Sequence, residues 1–243
     1  MSTPKIALIT GVNKGLGFET ARQLGKQGIH VIVASRDPAK AEAATLALRS
    51  DNISAEALTL DVSSAKSIDT AVKVVSDKHG RLDILVNNAG VMHDDAAKKP
   101  SEQTMEAWRK TFDTNVFGLI AVTNAFLPLI KKSAAGRIVN LSSILGSNAL
   151  HQQKDSGIYD FKVPAYNVSK SAVNAWTVHL AHELKDSPIK VNAAHPGHVQ
   201  TDMGGANAPM AISDGAKTSV ALATLPADGP TGGYFHLDQA LPW

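Results

Sequence analysis

The sequence contains no cysteine among its 243 residues. This absence excludes disulfide bonds, thiolate metal sites and cysteine nucleophiles. The nine histidines are scattered along the chain. Only His179 and His182 form a pair at helical spacing, and the helix that carries them, predicted at residues 164–185, also carries Tyr166 and Lys170. Because protein zinc sites combine several ligands at characteristic spacings, we predict no metal site.

Strong net charge and long apolar runs are also missing. The formal net charge is +2, too small to indicate a nucleic acid or an anionic membrane as partner. No eighteen apolar residues follow one another, as a membrane span would require, and no leader pattern is visible at the start. We therefore predict a cytoplasmic protein of one domain covering residues 1–243.

Short apolar runs alternate with longer helical patterns along the chain. Most runs are apolar throughout, which is typical of parallel strands covered on both faces. Seven strands are predicted, at residues 6–10, 30–34, 56–60, 82–87, 136–141, 189–194 and 233–236. Helices are predicted at residues 18–27, 104–132 and 164–185. The pattern favours a Rossmann-type, doubly wound parallel α/β sheet with helices on both faces.

A glycine-rich turn follows the first predicted strand and opens the first helix. Glycine there permits a tight turn and close approach of the backbone to a pyrophosphate, and a helix N-terminus attracts phosphate. The turn therefore predicts dinucleotide binding by a set of neighbouring residues, namely Gly11, Asn13, Lys14, Gly15, Leu16 and Gly17.

The choice of cofactor is expected at the end of the second strand. An acidic residue there would bind the ribose hydroxyls of NAD, but this chain carries Ser35 and Arg36. Arg36 and Lys14 could bind a 2′-phosphate, which favours NADP(H), although each could also be an ordinary surface cation. Asp37, one position further on, is the main counter-argument.

Two further segments are predicted to contact the nucleotide. Asp61, with Val62, follows the third strand and could accept a hydrogen bond from the adenine amino group, or could instead cap the next helix. The fourth strand ends in an Asn-Asn-Ala-Gly segment. Its small and amide residues could allow close approach of a ligand, tie neighbouring strands together, or do both; we include Asn88, Ala89 and Gly90.

Tyr166 and Lys170 lie four residues apart on a predicted helix, and therefore on one face of it. A nearby ammonium favours the phenolate, so we expect the pKa of Tyr166 to be lowered and the phenol to exchange protons near neutrality. Taken alone, such a pair on a helix would usually be accidental.

Together these motifs resemble the short-chain dehydrogenase/reductase family over essentially the whole chain. The segments that carry the resemblance, in order, are residues 10–17, 87–90, Asn115, Ser142-Ser143, 166–170 and Pro196-Gly197. Residues 10–15, 34–36 and 136–144 are most similar to the NADPH-dependent carbonyl reductases. The resemblance implies an oxidoreductase that reduces ketones and aldehydes to alcohols, reversibly. The few charges near the presumed pocket favour a small, neutral substrate.

The resemblance also implies residue roles. Tyr166 would exchange a proton with the substrate oxygen. Lys170 would hold the nicotinamide ribose, and Ser143, which stands directly before a branched apolar residue, would hydrogen-bond the oxyanion. Asn115 would bind a water that links Lys170 to solvent. The segment that contacts the nicotinamide carboxamide would comprise Pro196, Gly197, Val199 and Thr201.

Three polar stretches, residues 93–101, 147–163 and 198–213, are predicted loops beside the substrate pocket. Because of the middle stretch, 23 positions separate Ser143 from Tyr166, which is more than in many relatives. It contains His151, Tyr159 and Phe161, and leaves open whether the protein is a monomer, dimer or tetramer. Leu145, His93, Met203 and Trp243 are suggested to line the pocket, with core or surface packing as the alternative.

Other functions stay open from sequence alone. A ketoacyl-thioester reductase of lipid synthesis or an alcohol dehydrogenase would use the same residues. A non-catalytic NADP(H) sensor or scaffold usually loses the tyrosine or lysine that this chain keeps. Reduction of a carbon–carbon double bond usually accompanies replacement of the tyrosine, so Tyr166 argues against it.

Overall fold

The computed structural model describes residues 4–243. The strands of this part of the chain are β1 (Ile6–Thr10), β2 (His30–Ser35), β3 (Ala55–Thr59), β4 (Ile84–Asn87), β5 (Arg137–Leu141), β6 (Lys190–Ala194), β7 (Tyr234–His236) and β8 (Gln239–Ala240). They form one sheet in the order β3-β2-β1-β4-β5-β6-β7-β8. All pairs are parallel except β7 with β8.

Helices cover both faces of the sheet. They are α1 (Gly15–Lys26), α2 (Pro38–Ser50), α3 (Ala65–His79), α4 (Met105–Phe112), α5 (Leu119–Ile130), α6 (Asn148–Gln152), α7 (Pro164–Glu183), α8 (Ile212–Gly215) and α9 (Lys217–Ala223). A π-helical segment, Asp113–Gly118, joins α4 to α5, and short 3-10 turns occupy Pro100–Glu102 and Ile144–Gly146.

The predicted fold class is confirmed, but the predicted count of seven strands is wrong. The eighth strand is the two-residue β8, which turns back on β7 with Phe235 opposite Ala240. Two exposed residues carry too little hydrophobic pattern to be recognised in a sequence. The predicted helix 104–132 is also interrupted by the π-helical segment, and the predicted loop 147–163 contains α6.

Two hydrophobic layers hold the helices against the sheet. Alternate residues of β1 point to opposite faces, so Leu8 belongs to one layer and Ile9 to the other. Phe126 of α5 is fully buried in the first layer and Leu24 of α1 in the second. Burial on both faces explains why most of the strands are largely apolar.

The helical stretch Met105–Ile130 has the length and mean hydropathy of a membrane span. Its most apolar window has a hydropathy of 1.3, but 56% of that window is buried inside the protein. The stretch packs through α5 against α3 and β4. The burial fits a core helix, so its composition is weak evidence for a membrane.

Candidate active site

The strand order reverses between β1 and β4. From β1 the next strands are added towards β3, and from β4 they are added in the opposite direction, towards β8. Open α/β sheets bind ligands at this point, beyond the carboxyl ends of the strands. Here the ends of β1, β4, β5 and β6 bring together the glycine turn, the Asn-Asn-Ala-Gly segment, Ser143 and Pro196.

The glycine turn has the geometry that a dinucleotide requires. Gly11 has φ = 71°, a conformation that residues with a Cβ adopt at a cost. A Cβ on Gly17 would lie 2.5 Å from Asn88 Nδ2 and 2.6 Å from the Gly11 carbonyl oxygen. No side chain caps the start of α1 at Lys14, so its free N–H groups and positive dipole can receive phosphate. These features fit a pyrophosphate.

The two cations of the expected 2′-phosphate site have different surroundings. Ser35 is buried at the end of β2 and Arg36 is exposed beside it. Lys14 forms an ion pair with Asp202, from the loop after β6. A joint role of Lys14 and Arg36 at a 2′-phosphate stays a prediction, and it would require Lys14 to leave Asp202.

Asp37, the counter-argument to NADP(H), has a structural role. Its Oδ1 accepts hydrogen bonds from the backbone of Ala39 at 3.0 Å and Lys40 at 3.2 Å, which makes it the N-cap of α2. A carboxylate occupied in capping is less available to ribose hydroxyls. This weakens the argument for NAD.

Asp61 lies near Arg36 and does not cap the following helix. The N-cap of α3 is Ser64, whereas Asp61 Oδ1 accepts hydrogen bonds from the Ser63 hydroxyl at 2.7 Å and backbone at 2.9 Å. These bonds, with a smaller contribution from the Arg36 charge, lower the pKa of Asp61. The backbone of Val62 packs closely against Gly118. Asp61 thus stays ionised at the end of β3.

The Asn-Asn-Ala-Gly segment connects neighbouring strands through hydrogen bonds, which is one of the two roles predicted for it. Asn87 donates to Asn140 Oδ1 at 2.9 Å, joining β4 to β5. Asn88 donates to the Thr10 carbonyl at 2.8 Å, and the backbone N–H of Ala89 donates to the Thr10 hydroxyl at 3.0 Å. The segment is therefore fixed to the glycine turn.

Tyr166 and Lys170 lie on α7 with their side chains buried, at 8% and 3% exposure. The Lys170 ammonium is 5.6 Å from the centre of the Tyr166 ring and donates to the Leu141 carbonyl at 2.7 Å. The predicted proximity of the two groups is present, although the ammonium is hydrogen-bonded to the end of β5.

The expected lowering of the Tyr166 pKa is wrong for this structure. Burial raises the pKa of Tyr166 to about 12, and a hydrogen bond with Ser143 opposes the rise only in part. Burial also lowers the pKa of Lys170 to about 8. Loss of solvation disfavours both ions, so the phenol is protonated at neutral pH.

Ser142 and Ser143 differ in their surroundings. The Ser142 hydroxyl donates to Asn174 Oδ1 at 2.6 Å and is occupied inside the protein. Both serines line the cavity. The Ser143 hydroxyl accepts from the backbone of Leu145 at 3.3 Å and lies near Tyr166. The hydroxyl available to a ligand is that of Ser143, the serine chosen from the sequence.

Asn115 lies in the π-helical segment and is fully buried. Its amide accepts from the Val91 N–H and donates to the Val91 carbonyl, both at 2.8 Å, and also donates to the Ser169 hydroxyl at 3.0 Å. Isolated π turns often occur at functional sites. The side chain therefore joins the end of β4 to α7, and its predicted role in binding water stays a prediction.

Asp94 is a residue that the sequence analysis missed. Helix α7 has no side-chain cap from its own Val163. Instead, the Asp94 carboxylate reaches across from the loop after β4 and accepts from the backbone N–H groups of Ala165 at 2.8 Å and Tyr166 at 3.0 Å. Because the capping residue is some seventy positions away, no local pattern could reveal it.

The loop after β6 closes the other side of the site. Pro196 and Gly197 line the cavity, Val199 pairs with Met210, and the Thr201 hydroxyl accepts from the Gly204 N–H at 3.1 Å. His195 Nδ1 accepts from the Ile144 N–H at 3.1 Å. Burial, with help from the charge of His236, lowers the pKa of His195 to about 3. His195 is thus a neutral group that holds the Ser143 turn.

A cavity of about 1030 Å³ lies along these elements. It is lined by predicted residues Lys14, Gly15, Leu16, Gly17, Asn88, Gly90, Ser143, Tyr166, Lys170, Pro196, Gly197, Val199 and Thr201. The predicted residues outside its lining are Gly11, Asn13, Ser35, Arg36, Asp61, Val62, Ala89 and Asn115.

The suggested substrate-pocket residues divide into two groups. Leu145, Met203 and Phe161 line the cavity, together with Met92 and Ile158, which were not predicted. His93 and Trp243 do not line it. Trp243 stacks on Tyr234 with ring centres 5.5 Å apart, and its carbonyl accepts from the Ala149 N–H at 3.0 Å. Its aromatic ring therefore packs on the sheet and not in the pocket.

The comparisons with known proteins agree with this geometry. The family model described as short chain dehydrogenase matches residues 5–211. The chain belongs to the short-chain dehydrogenase/reductase family. It is accordingly an oxidoreductase of a family that uses nicotinamide cofactors, as the sequence motifs predicted.

Individual relatives cover nearly the whole chain. A short-chain dehydrogenase of Penicillium roqueforti is 38% identical over 91% of this chain and 89% of its own length. An NADPH carbonyl reductase of Bos taurus is 33% identical over 98% of each protein. The structure of NADPH-bound carbonyl reductase from chicken fatty liver has a TM-score of 0.85 at 25% identity, with full coverage of both chains.

Proposed function

We propose that this protein reduces ketones and aldehydes to alcohols with NADPH, with Tyr166 as the proton donor. The geometry at the cavity wall carries the proposal: the Tyr166 phenol lies beside the Ser143 hydroxyl, and the buried Lys170 ammonium is 5.6 Å from the ring centre. Carbonyl reduction needs a proton donor at the substrate oxygen, and a general acid must hold its proton at the working pH.

The cofactor would bind along the ends of the strands. When bound, it supplies the hydride for the carbonyl carbon. The free N–H groups of α1 would receive the pyrophosphate, Asp61 the adenine, and Arg36 the 2′-phosphate. Lys14 would join Arg36 only by leaving Asp202. The NADPH named for the bovine and chicken carbonyl reductases supports the same choice.

The protein's own groups would handle the proton and the oxygen. Tyr166 donates its phenolic proton to the carbonyl oxygen as the C–O π bond breaks, and the oxygen becomes a hydroxyl. Ser143 donates a hydrogen bond to the same oxygen, which is most valuable while negative charge develops. Lys170, held by the Leu141 carbonyl, would place its remaining N–H groups towards the nicotinamide ribose.

The cavity lining suggests the class of substrate. Leu145, Ile158, Phe161 and Met203 give it an apolar wall on the side away from the glycine turn. Such a wall favours a small, neutral, moderately apolar carbonyl compound. We also propose that the protein acts as a single domain in the cytoplasm, with neither a nucleic acid nor a membrane as partner.

The test is NADPH oxidation, measured by absorbance, against a panel of aryl ketones, diketones and aldehydes. Tyr166→Phe should lose nearly all turnover and keep its affinity for NADPH. Tyr159→Phe is the matched control, because Tyr159 lies in the inserted loop with no lysine four positions later. It should keep most of the activity. Tight NADPH binding without turnover of any carbonyl would favour a sensor or scaffold instead.

The cofactor choice has its own test. Arg36→Ala should raise the KM for NADPH by about tenfold or more, as expected for loss of a charge-assisted phosphate contact, and should leave the KM for NADH nearly unchanged. Arg109→Ala, an exposed arginine on α4, is the control. Equal rates with NADH and NADPH in the original protein would refute the preference for NADPH without affecting the role of Tyr166.

A further inference from the structure

Three side chains with metal-ligating atoms meet at the opposite end of the sheet from the candidate active site. His30 begins β2, Glu56 lies in β3, and His79 is the last residue of α3. Each side chain offers one ligand atom, and these three atoms all lie within 4.8 Å of one another. Their positions in the sequence are far apart, so the group exists only in the folded chain.

His30 is oriented as a ligand would be. Its Nδ1 is hydrogen-bonded to the Ser54 hydroxyl at 2.7 Å, an arrangement that can fix the tautomer with a free lone pair on Nε2. Nε2 is buried and has no hydrogen-bond partner within residues 4–243. It faces Glu56 Oε1 at 3.6 Å. The buried nitrogen and the carboxylate oxygen are therefore placed so that one cation between them would contact both.

The chemistry of the three side chains also suits a cation. Glu56 supplies a carboxylate whose side chain is only 13% exposed, and the two histidines supply imidazole nitrogens. Zinc binds both kinds of ligand. The C-terminal end of α3 adds a negative dipole.

We propose that His30 Nε2, Glu56 Oε1 and His79 Nε2 bind one divalent transition-metal ion, for which Zn²⁺ has the most suitable ligand preference. Tetrahedral zinc with nitrogen and oxygen ligands at about 2.0–2.2 Å places neighbouring ligand atoms roughly 3.3 Å apart. The 3.6 Å between His30 and Glu56 is close to that value. The 2.5 Å between His79 and Glu56 is a direct hydrogen bond that the ion would open, and water would complete the coordination.

The positive charge of Lys78 should weaken binding of a metal ion at this group, and this provides a test. Its ammonium contacts Glu56 Oε2, the other carboxylate oxygen, so it leaves Oε1 available and still repels a cation nearby. Removing that charge should strengthen metal binding. If the group were only an ion-pair network around Glu56, the same change would have no metal to affect.

The ion would act as a cross-link in the structure. It would join the edge strand β3 and its neighbour β2 to α3, far from the cavity that holds Tyr166. A ligand that binds only the folded state stabilises it by mass action. At a hundredfold excess of free Zn²⁺ over its Kd, we expect the melting temperature to rise by about 5–10 °C.

The experiment uses the full chain without a histidine tag, stripped with a chelator and titrated with Co²⁺ as a spectroscopic probe. Because the chain has no cysteine, visible bands cannot come from thiolate ligands. We expect saturation at one equivalent, displacement by Zn²⁺ and the rise in melting temperature. His30→Gln and His79→Gln should each weaken Co²⁺ binding by at least tenfold, and Lys78→Gln should tighten it several-fold.

His179→Gln is the control, because His179 and His182 form an exposed pair on α7. It should leave Co²⁺ binding unchanged. Circular dichroism without metal establishes that each variant folds. The proposal is refuted if the original protein shows no saturable Co²⁺ spectrum. Equal binding by the folded His30→Gln variant, or loss of binding in His179→Gln, would place the metal elsewhere and refute it as well.

Discussion

Replacing Lys170 with methionine should stabilise the folded protein at neutral pH. The ammonium is 3% exposed and donates one hydrogen bond, to the Leu141 carbonyl. Burial lowers its pKa from 10.5 to about 8. At 1.36 kcal/mol for each pKa unit, keeping the charge in the folded state at pH 7 costs about 3 kcal/mol.

Methionine removes this cost with little change in side-chain volume. It also leaves the Leu141 carbonyl without its partner, which costs about 1 kcal/mol. The net gain is therefore about 2 kcal/mol in the free energy of unfolding. For a protein of this size, that gain raises the melting temperature by about 4–8 °C.

The pH dependence distinguishes this explanation from a general effect of packing. Between the folded pKa of about 8 and the unfolded value near 10.5, the unfolded chain binds more protons at this lysine. The original protein therefore gains stability from Lys170 as the pH rises through this window. At pH 10 the cost of the charge falls below about 1 kcal/mol, so the advantage of methionine should nearly vanish.

The assay is thermal unfolding of both proteins, without cofactor, at pH 7 and pH 10. Lys185→Met, at an exposed position just after α7, is the control and should change stability by less than about 0.5 kcal/mol at both values. The reasoning is refuted if Lys170→Met melts at or below the original protein at pH 7. A constant difference between pH 7 and pH 10 would refute it equally.

Three further changes probe the site. Gly17→Ala should destabilise the protein by about 1–3 kcal/mol, because the new Cβ would overlap the Gly11 carbonyl. Gly157→Ala is the control and should not destabilise it, because a Cβ there meets open space. Equal melting temperatures of the two variants would contradict this prediction. Asp94→Asn should lower the free energy of unfolding by about 1 kcal/mol and reduce kcat, because it weakens the N-terminal cap of α7 beside Tyr166. The control Asp155→Asn, at an exposed position, should change neither quantity. For carbonyl reduction, kcat/KM should fall above about pH 8 as the Lys170 charge is lost, and a plateau to pH 10 would argue against this assignment.

The sheet and the glycine turn were predictable because their causes are local. Strands covered on both faces have apolar runs, and a turn that approaches a phosphate closely needs glycine. Both patterns are visible within about ten residues. The two-residue β8 has no such pattern. The π-helical segment around Asn115 looks like ordinary helix in the sequence, because six residues are too few to show a different hydrophobic period.

Contacts between distant segments were not predictable in the same way. The Asp94 carboxylate caps a helix that begins far along the chain, and Lys14 pairs with Asp202 from another loop. His30, Glu56 and His79 come together only because β2, β3 and α3 end at one corner. Each side chain alone is an ordinary polar residue, and its function depends on which partner the fold places beside it.

The pKa of Tyr166 shows most clearly what sequence spacing leaves out. A lysine four residues away predicts a stabilised phenolate, but the value depends on how both groups are solvated. Burial disfavours the phenolate and the ammonium alike, and gives a phenol of pKa about 12 beside a lysine of pKa about 8. At pH 7 the phenol of the free protein is protonated, which is the form that donates a proton in the proposed reduction. The same burial makes the phenolate left after donation costly, so the reaction also needs groups that stabilise that phenolate. The Ser143 hydroxyl and the Lys170 ammonium stand beside it for this purpose.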